Sequence, residues 1–165
     1  MNANNMKNTP KKEIGLKVKE DPHGSGAKII EGYFALFDVE VEVSQSKSGA
    51  IKKGAFRRSL KYDIPAYLNN NYQFVIGSTK EGTLQLKEDD FGLWGSIKLN
   101  ESDPDAMYLY EMVQRGEAGQ CIYSCSYDVK NPAAGIKEKS NVIKEIMLYN
   151  VSVYTFQLDA EGADE

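Results

Sequence analysis

The chain has 165 residues, 41% hydrophobic, 27% charged and 10% aromatic, with a formal net charge of −4. This is the make-up of one soluble domain long enough to bury a core without metal or disulfides, and it excludes a fibre, a disordered tail and a disulfide-stapled miniprotein. No apolar run approaches a membrane span, no secretory signal is read, and the negative balance argues against nonspecific duplex binding by the whole surface.

Residues 1–26 read as a flexible polar leader. Lys7, Lys11, Lys12, Lys17 and Lys19 lie in its first part, and DPHGSG (21–26) closes it as a loop. From Lys28, KIIEGYFALF and then VEVEV alternate and are rich in Ile, Val, Phe and Tyr, which predicts two strands or one long bent strand. SQSKSGA (44–50) reads as a polar loop. The following IKKGAFRRSLKY (51–62) spaces Ala55, Phe56, Ser59 and Leu60 at near-helical intervals and predicts a short basic helix. A strand around Phe74 to Ile76, a hairpin through TLQLK and EDDFG, and a strand GLWGSIKL then read as a meander over 72–99.

Ser102 with Asp105, and Pro104 between them, predicts a capping-box helix start. Ala106, Leu109, Tyr110 and Val113 share one face, and Gly116 ends the helix. CIYSCSYDV and VIKEIMLYNVSVYTF read as two closing strands separated by the polar NPAAGIKEKSN, and 158–165 is an acidic tail. The predicted fold is a single domain over 27–157, mainly β with α. A bent antiparallel β-barrel flanked by two or three helices fits that alternation.

Few residues offer chemistry. His23 is the one histidine, and it reads as a solvated loop residue. Cys121 and Cys125 lie on one strand about 13 Å apart, beyond disulfide reach, which points to a reducing cytoplasm. One His and two Cys at strand spacing do not make a zinc site, and no phosphate-cradling glycine motif occurs, so no metal and no cofactor is expected. Asp89, Asp90, Asp103 and Asp105 fall in a turn and at a helix start, where local hydrogen bonding accounts for them. The basic residues Lys52, Lys53, Arg57, Arg58 and Lys61 read as a solvated face, with phosphate or an acidic partner segment as the lesser reading. Phe56 and Tyr62 are poorly placed to stack bases, so nucleic acid is not the expected partner.

Ordered along the chain, several short motifs resemble those of the tailed-phage prohead serine proteases. They are Ile51-Lys52-Lys53-Gly54-Ala55-Phe56-Arg57-Arg58-Ser59-Leu60 after Gly32-Tyr33, then Leu68-Asn69-Asn70-Asn71 with Val75-Ile76-Gly77. Leu84, Asp89-Asp90 and Gly92-Leu93 follow, then Asp103-Pro104-Asp105-Ala106 through Arg115-Gly116, and last Leu148-Tyr149-Asn150-Val151-Ser152-Val153. The likeness runs over residues 28 to 156.

It implies an endopeptidase packaged in the immature phage head within the bacterial host cytoplasm, trimming capsid or scaffold protein, with a fold similar to the herpesvirus assemblins. It also implies the major capsid protein or scaffold as partner, a homodimer by analogy, and no membrane. Laying the family's nucleophile strand on CIYSCSYDV makes Ser124 the candidate nucleophile, with Ile122 and Ser126 where the family has glycines. Asn70 stands at the family's histidine position and Asn150 at its glutamate position. An amide cannot take the serine's proton, so the resemblance implies a catalytically impaired relative acting in capsid assembly. The alternatives are an active endopeptidase using Ser124 with another base, such as His23 or a lysine, and an internal prohead structural protein. Without the resemblance, Ser124 reads as one residue of a half-buried strand and Asn69-Asn70-Asn71 as a turn.

Overall fold

The computed structural model describes residues 12–20, 24–44, 47–130 and 141–158. Its elements in chain order are β1 (Gly15–Val18), β2 (Ile29–Leu36), β3 (Glu40–Ser44), β4 (Lys47–Ile51), a one-turn 3-10 helix (Ser59–Lys61), β5 (Pro65–Leu68), β6 (Asn71–Ser78), β7 (Leu84–Glu88), β8 (Gly92–Lys98), α1 (Pro104–Gln114), β9 (Cys121–Lys130) and β10 (Asn141–Val153). The protein is mainly β, with one α-helix among the described residues. The strands form two open sheets and not the expected barrel. The first sheet runs β1-β2-β8-β7, and the second runs β3-β4-β10-β5-β6 with β9 on the far edge of β10.

β10 organises the second sheet. At thirteen residues it is about 40 Å long, and one edge pairs with β9 along nearly its whole length. The other edge is shared: β4 pairs in parallel with residues 141–143 and β5 in parallel with 151–153. The gap between them is filled by the GAFRRSL segment. Ile146 N donates to Ala55 O at 2.9 Å, and the buried Ser59 Oγ donates to Ile146 O at 2.6 Å while accepting from Leu148 N at 2.8 Å. The predicted basic helix over 51–62 is therefore absent. Ile51 ends β4, Gly54 has φ +100°, outside any right-handed helix, Ala55 O and the Ser59 hydroxyl are committed to β10, and only the single 3-10 turn Ser59–Lys61 is helical. The five basic side chains remain exposed, as the solvated-face reading has it.

Other expectations also change. Residues 15–18, read as part of the leader, form β1 on the edge of β2, and 47–50, read as loop, lie in β4 between β3 and β10. The meander splits: β7 and β8 form the predicted hairpin, but β6 joins β5 in the other sheet. The two early strands are separate, and the segment 131–140 between β9 and β10 lies outside the described residues, as does His23.

α1 keeps its predicted face, with Ala106, Leu109 and Val113 buried. Its N-cap is Asp103 and not Ser102: the Asp103 carboxylate accepts from Asp105 N at 2.9 Å, with Pro104 at the first helical position. At its other end Gly116, at φ +77°, donates to Val113 O, and Glu117 N reaches Met112 O, a Schellman closure. One core joins the layers. It includes Ile30, Phe34, Leu93 and Ile97 from the first sheet, Ile51, Ile143, Ile146 and Val151 from the second, and Leu109 from α1.

Candidate active site

The strands that carry the three candidate positions are neighbours, β9 and β5 flanking β10. Ser124 on β9 is the direct cross-strand partner of Asn150 on β10, and Ile122 is that of Ser152. Ser152 is also in register with Tyr67 on β5. Directly opposed residues share a face, so Tyr67, Ser152 and Ile122 form one row and Asn150 with Ser124 the next. The opposite face of the same strands, with Tyr123, Cys125, Val151 and Val153, packs on the core. Just before this row the register slips between Leu148 and Asn150, so that Tyr149 is the extra residue of a β-bulge.

Asn70 reaches the row through its backbone. Leu68 and Asn71 are paired, and Asn69 and Asn70 between them have φ of 53° and 57°, the left-handed pattern of a two-residue type I′ hairpin turn. Asn70 N donates to Ser152 Oγ at 2.6 Å, and Ser152 Oγ donates to Tyr67 O at 3.1 Å. Asn69 anchors the turn to the far end of β10, accepting from Thr155 N at 2.8 Å and donating to Thr155 Oγ1 at 3.1 Å. The turn expected of these asparagines is thus present, and it leaves the Asn70 side chain exposed.

No hydrogen bond links the side chains of Ser124, Asn70 and Asn150 to one another. The Ser124 hydroxyl is half-buried and has no hydrogen-bond partner among the described residues. Asn150 is 8% exposed, and its Oδ1 is buried without a partner among them. Nothing described here is set to take a proton from Ser124, the step on which a serine nucleophile depends.

The serine, tyrosine and cysteine side chains beside this row are occupied or inert. Ser126, exposed, lies 2.9 Å from the Tyr149 hydroxyl. On the core face Tyr127 Oη donates to Tyr123 Oη at 3.1 Å, and burial raises the pKa of both phenols and of the Cys125 thiol beside them. Cys121 is buried with its thiol pushed up to about 12 by desolvation, so neither cysteine has the depressed pKa of a reactive thiol. Among the described residues no three His, Cys, Asp or Glu side chains cluster as metal ligands, and no helix is long and apolar enough to cross a membrane.

Asp103 caps α1 and Asp89 closes its turn, the local structural duties expected of them. Asp89 accepts from Tyr33 Oη at 2.5 Å and from the N–H groups of Phe91 and Gly92. Burial alone would raise its pKa, but these hydrogen bonds outweigh it and hold the carboxyl below its usual range. Asp90 forms an exposed ion pair with Lys53, a contact worth little. Two contributors were not legible from residue types: Ser152, which ties the hairpin turn to β10, and Tyr67, whose ring lies 4.7 Å from that of Tyr72. Only the ladder register shows that both stand on the Ser124 face.

No curated protein and no solved structure matches the chain. A family model does, that of the caudovirus prohead serine proteases, and its match covers residues 13–163, which include both sheets, α1 and all three candidate positions. The chain belongs to the caudovirus prohead serine protease family.

Proposed function

We propose that this protein acts in phage capsid assembly or maturation as a catalytically impaired prohead protease, with Ser124 at the former nucleophile position and Asn70 and Asn150 replacing the residues that would activate it. Family membership supports the maturation role, a place inside the prohead and contact with capsid or scaffold protein. The impairment rests on one observation: the Ser124 hydroxyl has only amides in the neighbouring candidate positions and no hydrogen-bond partner among the described residues. A carboxamide has no basicity near neutral pH, and a positioned general base accounts for about 10²–10⁴-fold of rate where it acts.

Asn70 keeps a backbone conformation that histidine also tolerates, since Asn, Asp and His are the non-glycine residues enriched at left-handed φ. The site therefore lost a base without losing its turn. Co-expression with the major capsid protein of the same phage tests the reading. Intact mass should show capsid protein of unchanged length with this chain and with Ser124→Ala alike, while particles still require the protein. Shortening that depends on Ser124 would mean an active endopeptidase with another base, with His23 and the lysines the next to be replaced. Asn70→His should raise labelling of Ser124 by a fluorophosphonate about 10²-fold or more, given the usual contribution of a positioned base.

A further inference from the structure

The chain is acidic as a whole, with a net charge of −4, yet one part of its described surface is strongly basic. Arg57, Arg58, Lys61, Lys144 and Glu145 line an open groove of about 300 Å³. The fold brings them together: GAFRRSL lies against β10, and Lys144 is the extra residue where the β9–β10 register slips between Ile143 and Glu145. Neighbouring Lys52 and Lys53 are paired with Asp38 and Asp90, and Arg58 meets Glu145 at 3.2 Å. Arg57, Lys61 and Lys144 have no ion-pair partner among the described residues. Cations gathered in this way repel one another, so an anionic segment is the neighbour they favour.

The chain itself supplies such a segment. Of the longer stretches outside the described residues, 1–11 carries Lys7 and Lys11 without an acid, and 131–140 carries Lys137 and Lys139 against Glu138. Only 159–165 is acidic, with Asp159, Glu161, Asp164 and Glu165 and no base. Its starting point is fixed, because Leu158 N donates to Gln120 Oε1. Gln120 precedes Cys121, which pairs with Val153, and Val153 stands eight residues along β10 from Glu145, about 26 Å. Fully extended, Glu161 comes only about 10 Å from Leu158, and Glu165 about 24 Å. Within one molecule Asp159 and Glu161 therefore stop short of the groove. We propose that the groove takes segment 159–165 of a second copy of this chain, its carboxylates meeting Arg57, Lys61 and Lys144. Each exposed pair contributes little, so the contact depends on several acting together and is weakened by salt. It is independent of whether Ser124 is catalytic.

Sedimentation velocity of the full chain provides the test. The parent should self-associate, and both truncation after Leu158 and a rise in NaCl from about 50 mM to about 500 mM should weaken association about tenfold or more. A synthetic peptide of residues 156–165 should compete, a readout that needs no variant. Arg57→Glu, Lys61→Glu and Lys144→Glu together reverse the groove at exposed positions, and Asp159→Lys, Glu161→Lys, Asp164→Lys and Glu165→Lys together reverse the segment. Either reversed chain alone should be monomeric, and their equimolar mixture should associate, since each segment then meets a groove of opposite sign. A parent that is monomeric at the lower salt overturns the proposal. Association that survives truncation, or a mixture of reversed chains that stays monomeric, also overturns it. A monomeric parent that binds a labelled oligonucleotide, and loses it on groove reversal, overturns it in favour of nucleic acid.

Discussion

At the scale of the residue, Ser59 shows how a side chain of modest chemistry holds a sheet together. Its hydroxyl both donates to Ile146 O and accepts from Leu148 N, standing in for the neighbouring strand that β10 lacks between β4 and β5. Ser59→Ala would orphan two buried backbone groups, at about 1–3 kcal/mol each. The expected result is a large fall in the urea midpoint with an unchanged slope; a loss within 0.5 kcal/mol, about the size of an ordinary surface substitution, would show that the strand relaxes onto other partners. The sequence offered Ser59 only as one position of a helix-like spacing, because a hydroxyl's partners 87 and 89 residues away leave no local trace. Ser124 is the same case. Alternation along CIYSCSYDV puts it on the face opposite Cys121, Tyr123, Cys125 and Tyr127, but its pairing with Asn150 exists only in the ladder.

At the scale of the element, α1 was legible and the short strands were not. A helix is specified by neighbours three and four residues apart, so Ala106, Leu109 and Val113, with Pro104 at the start and Gly116 just past the end, declared it locally. Its cap was misplaced by one position, since Ser102 and Asp103 are both good caps and only the chain's entry angle decides between them. Asp103→Ala should therefore cost about 1 kcal/mol and Ser102→Ala only a few tenths, with helical circular dichroism and thermal midpoints as the check. β1, β4 and β5 are four or five residues each, and β4 contains Ser48, Gly49 and Ala50, poor strand formers taken in isolation. They are strands because a long neighbour offers unpaired edges. The β5–β6 turn lies between these extremes: three consecutive asparagines predict left-handed backbone, and the hairpin uses two of them.

At the scale of the whole molecule, burial sets the response to alkali. Folding holds the Cys121 proton up to about 12, from an ordinary 9.0, through desolvation, and the Tyr33 proton to about 12, from 10.0, through burial and then the Asp89 carboxylate that its hydroxyl meets. Tyr123 and Tyr127 shift the same way. The folded state thus binds these protons more tightly than the unfolded chain. Their contribution is whole below about pH 9, and it is lost as pH rises through 12, because the unfolded chain ionises first. Urea midpoints should fall steadily from pH 9 to 11, and Cys121→Ala should flatten the early part of that fall. A flat profile would mean that these groups reach solvent in the native state.

Composition, hydropathy alternation and the ordered motifs were enough to read a mainly β fold of this family and to place α1, though with two or three helices expected where the described residues hold one α-helix, because each depends on residues close in sequence or on totals. They could not decide that the sheets stay open, that GAFRRSL completes β10 in place of forming a helix, or that Ser124, Asn150 and the Asn70 turn meet on adjacent strands. Those outcomes depend on hydrogen bonds between groups more than eighty residues apart, such as Asn70 N with Ser152 Oγ and Ser59 Oγ with β10, and on which face each ladder register turns toward the core.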